Sequence, residues 1–156
     1  MNKINLTEMI DKNLVSFGLD VKDKNEAIVK IAQMMVDANK VSNKEKYIEG
    51  LLNRESQVST GIGMGIAIPH CQSDVVKVGA FSLVRLKEPI EWDGALDDQP
   101  VDYVIMLAAP KNGDNMHLRM LSTLAMNLMD DTFRNGLLEA SSIEDIKKVF
   151  KNKREE

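Results

Sequence analysis

The segment from Val101 to Ala108 is a nearly continuous apolar run, and it restricts the possible folds more than any other part of the chain. A strand this apolar offers no face to water, so its sheet needs a packed layer on each side. Helical patterns with apolar faces occur both before and after the run. The sequence therefore predicts an α/β fold: a three-layer domain in which helices flank both faces of a mixed β-sheet.

The other predicted elements follow from hydrophobic periodicity and from helix-capping residues. Strand patterns cover 14–21 and 75–86, the second bent near Gly79, and Pro89 to Trp92 fits a short edge strand. Helices are predicted after capping pairs spaced three residues apart: Asp23 and Glu26, Ser42 and Glu45, Ser141 and Glu144. Further predicted elements are a long helix from Met116 to about Met129, a short helix near 132–140 and an Asn-Gly turn within 111–115.

Length, charge and cysteine content narrow the class of protein. The 156 residues contain no repeat or linker, so residues 1–156 are predicted to form a single domain. A net charge of −4 argues against nucleic-acid binding, which usually requires a basic surface. Cys71 is the only cysteine, which excludes internal disulfides and favours a cytoplasmic location. No segment resembles a signal peptide or approaches the roughly 20 apolar residues of a membrane span, so direct membrane insertion is not expected.

His70 is one of only two histidines, and it follows a glycine-rich segment that ends in Pro69. Gly61, Gly63 and Gly65 allow close approach of the backbone, and successive N–H groups there could converge on an anion. Pro69 restricts the backbone on both sides, so the imidazole is offered from a stiff strand end. A phosphoryl acceptor requires a neutral nitrogen with a free lone pair, held still and open on one side.

Composition alone favours a simpler interpretation, in which the glycine-rich segment is only a turn and His70 is a surface residue. The segment is not a Walker A loop, because the Lys-Ser/Thr ending is absent. Its Gly61-x-Gly63-x-Gly65 spacing differs from the dinucleotide-binding GxGxxG pattern, and no helix pattern begins directly after it. Neither nucleotide-binding glycine motif is therefore present.

Three short motifs lead up to His70 at fixed spacing: Arg54-Glu55, then Ser59-Thr60-Gly61-Ile62-Gly63, then Gly65-Ile66-Ala67-Ile68-Pro69-His70. Together they resemble the signature of the fructose/mannitol-type enzyme IIA domains of the bacterial phosphotransferase system. The resemblance covers nearly the whole chain, including the end of the apolar run and the His117-Leu118 start of the long helix. It implies a mixed sheet flanked by helices, in agreement with the periodicity.

The resemblance implies a phosphotransferase that carries a phosphoryl group on His70. In that family the matching histidine receives the group on Nε2 from the carrier HPr and passes it to the cysteine of a IIB domain. The membrane component IIC takes part indirectly, and no cofactor is implied. Nitrogen-related IIA proteins accept phosphate on the same histidine but regulate other proteins, and the signature does not separate the two roles. A structural domain with a dead site is a third possibility, against which the intact Arg54, His70 and His117 argue.

Arg54 and His117 are the other two candidate catalytic residues. His117 begins the apolar face of the long helix, so a packed core histidine is one interpretation. A helix start also favours a bound anion, and the family has a second histidine at this place. Arg54 lies near a helix end, where a basic residue is favourable for the helix dipole alone. The resemblance implies in addition a guanidinium that pairs with phosphate oxygens.

Cys71 departs from the family pattern, which commonly has glycine or another small residue after the histidine. A free cysteine often behaves as a small buried hydrophobic side chain, and this interpretation is favoured over redox sensing. Two histidines and one cysteine without ligand spacing do not make a zinc site, which needs three or four protein ligands. No metal is therefore predicted.

Overall fold

The computed structural model describes residues 5–111 and 115–151, so the predicted Asn-Gly turn at 112–113 lies outside the described residues. The helices are α1 (Leu6–Met9), α2 (Lys24–Asp37), α3 (Lys44–Gln57), α4 (Met116–Leu128), α5 (Asp131–Glu139) and α6 (Ile143–Lys151), with a 3-10 turn at Lys12–Leu14. The strands are β1 (Val15–Leu19), β2 (Gly61–Gly63), β3 (Ile66–Ala67), β4 (His70–Ser73), β5 (Ala80–Phe81), β6 (Leu83–Ile90), β7 (Val101–Val104) and β8 (Leu107–Pro110). Within the described ranges, no helix combines the length and apolar character needed to cross a membrane.

The strands form two mixed sheets, ordered β1-β6-β7-β3-β2 and β4-β8-β5. The pairs β1–β6, β3–β7 and β4–β8 are parallel, and the other pairs are antiparallel. Backbone hydrogen bonds continue between the sheets, because Ile105 N–H donates to Ala67 O and Leu107 N–H donates to Pro69 O. The predicted mixed α/β architecture is confirmed, with its sheet divided into two hydrogen-bonded parts.

The apolar run predicted as one strand is two strands, β7 and β8, separated by Ile105 and Met106. The prediction of an unbroken strand is wrong, because the chain passes from one sheet to the other here. Met106 pairs with Ser82 in place of a regular ladder: Ser82 N–H donates to Met106 O at 2.9 Å, and Met106 N–H donates to the Ser82 hydroxyl at 3.0 Å.

Side chains of the apolar run alternate between two core clusters on opposite faces of the sheets. Tyr103, Ile105 and Leu107 pack with apolar residues of α4, α5 and α6. Val104 and Met106 pack with those of α2 and α3. Because both faces are covered by helices, the predicted three-layer arrangement is confirmed.

Capping residues fix where the helices begin. Asp23 caps α2 as predicted, because its side chain accepts a hydrogen bond from the N–H three residues later at 2.8 Å. The prediction of Ser42 as the α3 cap is wrong, since Asn43 accepts the corresponding bond. The Ser42 hydroxyl instead donates to the carbonyl oxygen of Val75, a residue distant in sequence. At α6 the hydroxyl that accepts from the first turn also lies one residue later than predicted, at Ser142.

The segment predicted as one bent strand over 75–86 contains the separate strands β5 and β6. The predicted edge strand at Pro89 is also wrong, because β6 continues through this residue. Gly79 lies against the start of α4: a Cβ at this position would be 2.1 Å from Sδ of Met116. This close approach lets α4 begin directly against the chain that enters the second sheet, with His117 as its second residue.

Candidate active site

His70 is the first residue of β4, at the point where the chain has left the first sheet. Successive strand residues point to opposite faces. The side chain of Cys71 packs against α3, whereas the ring of His70 lies beside His117 of α4. His70 is only 6% exposed. The strand therefore holds one imidazole at the junction of the two sheets.

Two hydrogen bonds define which nitrogen of His70 carries the proton. Nδ1 lies 2.8 Å from the carbonyl oxygen of Ile68, which can only accept. Nε2 lies 3.2 Å from Nε of Arg54, which can only donate. The neutral ring with its proton on Nδ1 satisfies both contacts. The geometry therefore leaves the lone pair of the ring on Nε2.

The surroundings of His70 favour the neutral ring. Burial is the largest cause that lowers the pKa of His70 from its ordinary value of 6.5. The hydrogen bond to Ile68 opposes this shift, and the nearby His117 and Arg54 add to it. The Glu55 carboxylate acts in the opposite direction, towards a cationic ring. The balance keeps the imidazole neutral, as a nucleophile must be.

His117 lies beside His70, with 4.8 Å between the ring centroids and 59° between the ring planes. It is half-buried, and its Nδ1 has no hydrogen-bond partner among the described residues. Burial is the main cause that lowers the pKa of His117, and Arg54 lowers it further. Asn115, the N-cap residue of α4, makes no side-chain capping hydrogen bond. His117 is thus placed at the site, at the electropositive end of α4.

Arg54 reaches His70 from the last turn of α3. Its Nε donates to the imidazole, and its Nη1 donates to the carbonyl oxygen of Val58 at 2.7 Å. The second bond limits where the guanidinium can lie. The three residues selected from the sequence, His70, His117 and Arg54, are therefore brought together from a strand and two helices.

The glycine-rich segment before His70 is a hairpin of β2 and β3 rather than an open loop. Gly63, Met64 and Gly65 have φ of 91°, 59° and 78°, a conformation that glycine adopts more easily than other residues. The Asp97 carboxylate fixes the turn, because it accepts from Met64 N–H at 2.9 Å. The hairpin thus anchors the strand that leads into His70.

The predicted convergence of the segment's N–H groups on an anion is wrong for three of these groups. Thr60 N–H donates to the Glu55 carboxylate at 2.9 Å. Gly61 N–H donates to the hydroxyl of Ser59 at 3.1 Å. The N–H of Met64 is held by the carboxylate described above. These donors stabilise the hairpin and its entrance instead of forming a free anion cradle.

Glu55 is a buried carboxylate at the site, which the sequence motif contains but which was not predicted to be a site residue. Its oxygens accept from Thr60 N–H, from the Thr60 hydroxyl and from Trp92 Nε1 at 3.1 Å. Lys24 Nζ lies 3.4 Å away as its ion-pair partner. Burial alone would raise the pKa of Glu55, but these hydrogen bonds and Lys24 outweigh it and lower the pKa. A sequence signal existed, because Glu55 lies on the otherwise apolar face of α3, where an acidic residue is unusual.

Cys71 is buried against α3. A Cβ at Gly50 would lie 2.4 Å from its Sγ, so the helix needs glycine at this contact. Burial raises the pKa of the Cys71 thiol, which disfavours the reactive thiolate. These facts agree with a small buried side chain. Among residues 5–111 and 115–151, no three or more His, Cys, Asp or Glu side chains are arranged to hold a metal ion.

The lowered pKa of both histidines predicts a loss of stability in mild acid. An unfolded chain binds protons on histidine near pH 6.5, whereas the buried rings do so only at lower pH. The free energy of unfolding should therefore fall as pH decreases below about 6.5, until the folded rings also titrate. Urea unfolding between pH 7.5 and 5.5 measures this. In a His70→Gln/His117→Gln variant the free energy of unfolding should change less with pH. The same pH dependence as in the wild-type chain would show that these histidines are not its cause.

An α/β domain that holds an imidazole between a guanidinium and a second histidine has the groups that a histidine-linked phosphoryl carrier requires. The family comparison makes the class specific. Residues 8–153 match the family described as "Phosphoenolpyruvate-dependent sugar phosphotransferase system, EIIA 2". The chain belongs to this family, so the resemblance noted in its sequence is confirmed.

Two relatives and one solved structure show the extent of the similarity. The fructose-specific EIIABC component of Bacillus subtilis (strain 168) is 39% identical over 137 residues, which are 88% of this chain and 21% of that protein. The fructose-specific EIIA component of Haloferax volcanii is 33% identical over 150 residues, 96% of this chain and 97% of that protein. The crystal structure of the nitrogen regulatory protein IIA-Ntr from Neisseria meningitidis is 28% identical, with a TM-score of 0.84 over 93% of this chain and 98% of that chain. The chain is thus similar to whole IIA proteins and to one part of a longer protein.

Proposed function

We propose that this chain relays a phosphoryl group in sugar uptake, with Nε2 of His70 as the atom that carries the group. The observation that supports this role best is the pair of hydrogen bonds that keeps the proton on Nδ1 and the lone pair on Nε2. Arg54 and His117 lie next to that nitrogen as cationic or hydrogen-bonding groups for phosphate oxygens.

The accepting step requires little covalent chemistry from the protein. Nε2 of His70 forms a bond to phosphorus while the bond from phosphorus to the donor nitrogen of HPr breaks, and the donor ring keeps that electron pair. The proton on Nδ1 stays in place, so the phosphorylated ring is cationic and the carbonyl oxygen of Ile68 stabilises it. Arg54 turns from Nε2 to the phosphate oxygens. Catalysis consists mainly of positioning and electrostatic stabilisation.

The second step returns the electron pair to Nε2. The phosphoryl group passes to a cysteine of a IIB domain, and IIB then supplies it to a sugar handled by the membrane component IIC. Fructose-specific relatives support a sugar-transport role, and the EIIABC relative combines the A, B and C components in its name. We place the chain in the cytoplasm and propose that residues 1–156 act as one domain.

A regulatory role is the alternative, and the similarity to a nitrogen regulatory IIA-Ntr structure favours it specifically. Both roles use the same accepting histidine, so the site does not distinguish them. Neighbouring IIB and IIC genes would favour transport. Rapid transfer of the phosphoryl group from this chain to a IIB domain would also favour transport.

A reconstituted assay tests the proposed function. Phosphoenolpyruvate, enzyme I and HPr are combined with this chain, and candidate IIB domains are then added. We expect an acid-labile label on this chain that moves to a IIB domain for fructose or mannitol. A chain that accepts no phosphate from phosphorylated HPr would contradict the proposal, and one that accepts it but transfers it to no IIB domain would favour the regulatory alternative.

The sequence predicts that Ile62, Met64 and Ile66 lie near the rim of the site and offer apolar surface to HPr, with a core strand position as the favoured alternative for Ile66. Ile66 is fully buried in the core, whereas Met64 is 45% exposed at the hairpin turn. Met64→Glu should therefore slow transfer from HPr and leave the melting temperature nearly unchanged. Met129→Glu is the matched control, because Met129 is 79% exposed and lies just after the end of α4, about 20 Å from the start of that helix. Equal transfer rates in the two variants would show that the hairpin turn does not contact HPr.

A further inference from the structure

The Glu55 carboxylate accepts more hydrogen bonds than a side chain that only packs against its neighbours would need. Its carboxylate accepts two hydrogen bonds from Thr60, one from Trp92 Nε1, and a longer one from Lys24. A buried carboxylate is costly unless it is paired in this way. The donors come from α2, from the entrance of the hairpin and from the segment after β6. The carboxylate thus joins three parts of the chain at one point beside the site.

Hydrogen bonds lead from Glu55 to the proton of His70. Thr60, which Glu55 holds at its N–H and hydroxyl, accepts from Ile68 N–H through its carbonyl oxygen at 2.9 Å. Ile68 in turn accepts from Nδ1 of His70 through its own carbonyl oxygen at 2.8 Å. The position of Thr60 therefore sets the position of the carbonyl oxygen that keeps the proton on Nδ1.

The same segment also places the guanidinium. Arg54 is adjacent to Glu55 on α3, and its Nη1 donates to the carbonyl oxygen of Val58, two residues before Thr60. Residues 58–60 are consequently held at one end by Arg54 and at the other by Glu55. A shift of Thr60 would move Val58, and with it the contact between Arg54 Nε and the imidazole.

We propose that Glu55 is a positioning residue for phosphoryl transfer, which keeps the proton of His70 on Nδ1 and Nε2 in line with the incoming phosphorus. The negative charge of Glu55 also favours phosphorylation, because the phosphorylated His70 ring is cationic. Arg54 and His117 destabilise a cation on this ring, and the Glu55 carboxylate offsets their effect. This inference rests on the proposed function of His70. It adds a residue whose contribution is made through Thr60 and Ile68 rather than by contact with phosphate.

Two substitutions separate position from charge. Glu55→Ala removes the acceptors of Thr60 and Trp92. Glu55→Gln keeps them, because the amide oxygen can take the place of Oε2 while the Thr60 hydroxyl turns to accept from the amide nitrogen. Glu49→Ala is the matched control, since Glu49 is an exposed acidic residue of the same helix. Thr60→Val and Trp92→Phe each remove a single donor.

Three measurements are made on every variant: the melting temperature, the nitrogen-15 NMR signature of the imidazole tautomers, and the rate of phosphoryl acceptance from HPr. Glu55→Ala should lose the pure Nδ1–H signature and accept phosphate about 10- to 100-fold more slowly, by analogy with the loss seen when the hydrogen-bond partners of metal-binding histidines are removed. Glu55→Gln should keep the signature and recover most of the rate. Glu49→Ala should match the wild-type chain in all three measurements.

A folded Glu55→Ala variant with the wild-type tautomer signature and rate would overturn the inference. If that variant does not fold, Thr60→Val and Trp92→Phe decide, and normal signatures and rates in both would overturn it equally. Neither result would contradict the proposed function, because that function depends on whether the wild-type chain accepts phosphate from HPr. If the wild-type chain accepts no phosphate, the proposed function fails, and the tautomer measurements still show whether Glu55 positions His70.

Discussion

Replacing His70 by alanine is expected to abolish phosphoryl acceptance completely. In the proposed function this ring supplies the nitrogen that bonds to phosphorus, so alanine at this position removes the acceptor itself. In an assay with phosphoenolpyruvate, enzyme I and HPr, the wild-type chain should gain an acid-labile label. The His70→Ala variant should show no label above background.

Two controls make this loss specific to the chemistry. The His70→Ala variant should remain folded but melt at a lower temperature, because loss of the buried ring leaves a cavity beside Arg54 and His117. His117→Ala should still take up label in the same assay, which shows that the site can lose one imidazole and remain accessible to HPr. Full labelling of a folded His70→Ala protein would assign the phosphoryl group to another residue.

The layer arrangement could be predicted from the chain because it depends on burial that the residue types report directly. Residues 103–108 are apolar at every position, and their alternation between two clusters requires helices on both faces. Capping at Asp23 was also predictable, because the capping bond joins residues only three apart. Both features can be predicted because the residues that cause them are close together in the sequence.

The features that were mispredicted depend on partners far away in sequence. Ser42 is a residue type that often caps helices, but its hydroxyl donates to the carbonyl oxygen of Val75. Asn43 caps α3 in its place. The division of the apolar run depends on Ser82, whose backbone and hydroxyl pair with Met106. No local pattern at residues 101–108 reports that contact. Tertiary hydrogen bonds therefore decided where these elements begin and end.

The candidate site came from the resemblance, since composition alone favoured a surface histidine in a turn. Its geometry adds what the motif does not contain: the proton on Nδ1 of His70 follows from the opposed hydrogen-bonding abilities of Ile68 and Arg54. Glu55 was visible as part of the Arg54-Glu55 pair, yet its partners Thr60 and Trp92 could be found only in three dimensions. A motif identifies the reacting residue more readily than the residues that hold it.

His117→Ala is expected to slow transfer to IIB by about a hundredfold, while acceptance from HPr is reduced less. The His117 ring lies 4.8 Å from that of His70, at the start of α4, where it can donate to a phosphate oxygen in the transition state. Loss of one preorganised donor of this kind costs on the order of 3 kcal/mol. His117→Gln keeps a donor and should recover part of the rate.

A packing role for His117 predicts a different result from the same variants. If the ring mainly fills space, His117→Ala and His117→Gln should both lower the melting temperature, and neither should show a defect confined to one half-reaction. The half-buried position and the unpaired Nδ1 favour a role at the site, because a histidine packed for stability normally has its buried nitrogens paired. Measuring the melting temperature beside both half-reactions separates the two roles. A well-folded His117→Ala protein with normal rates in both steps would remove His117 from the mechanism.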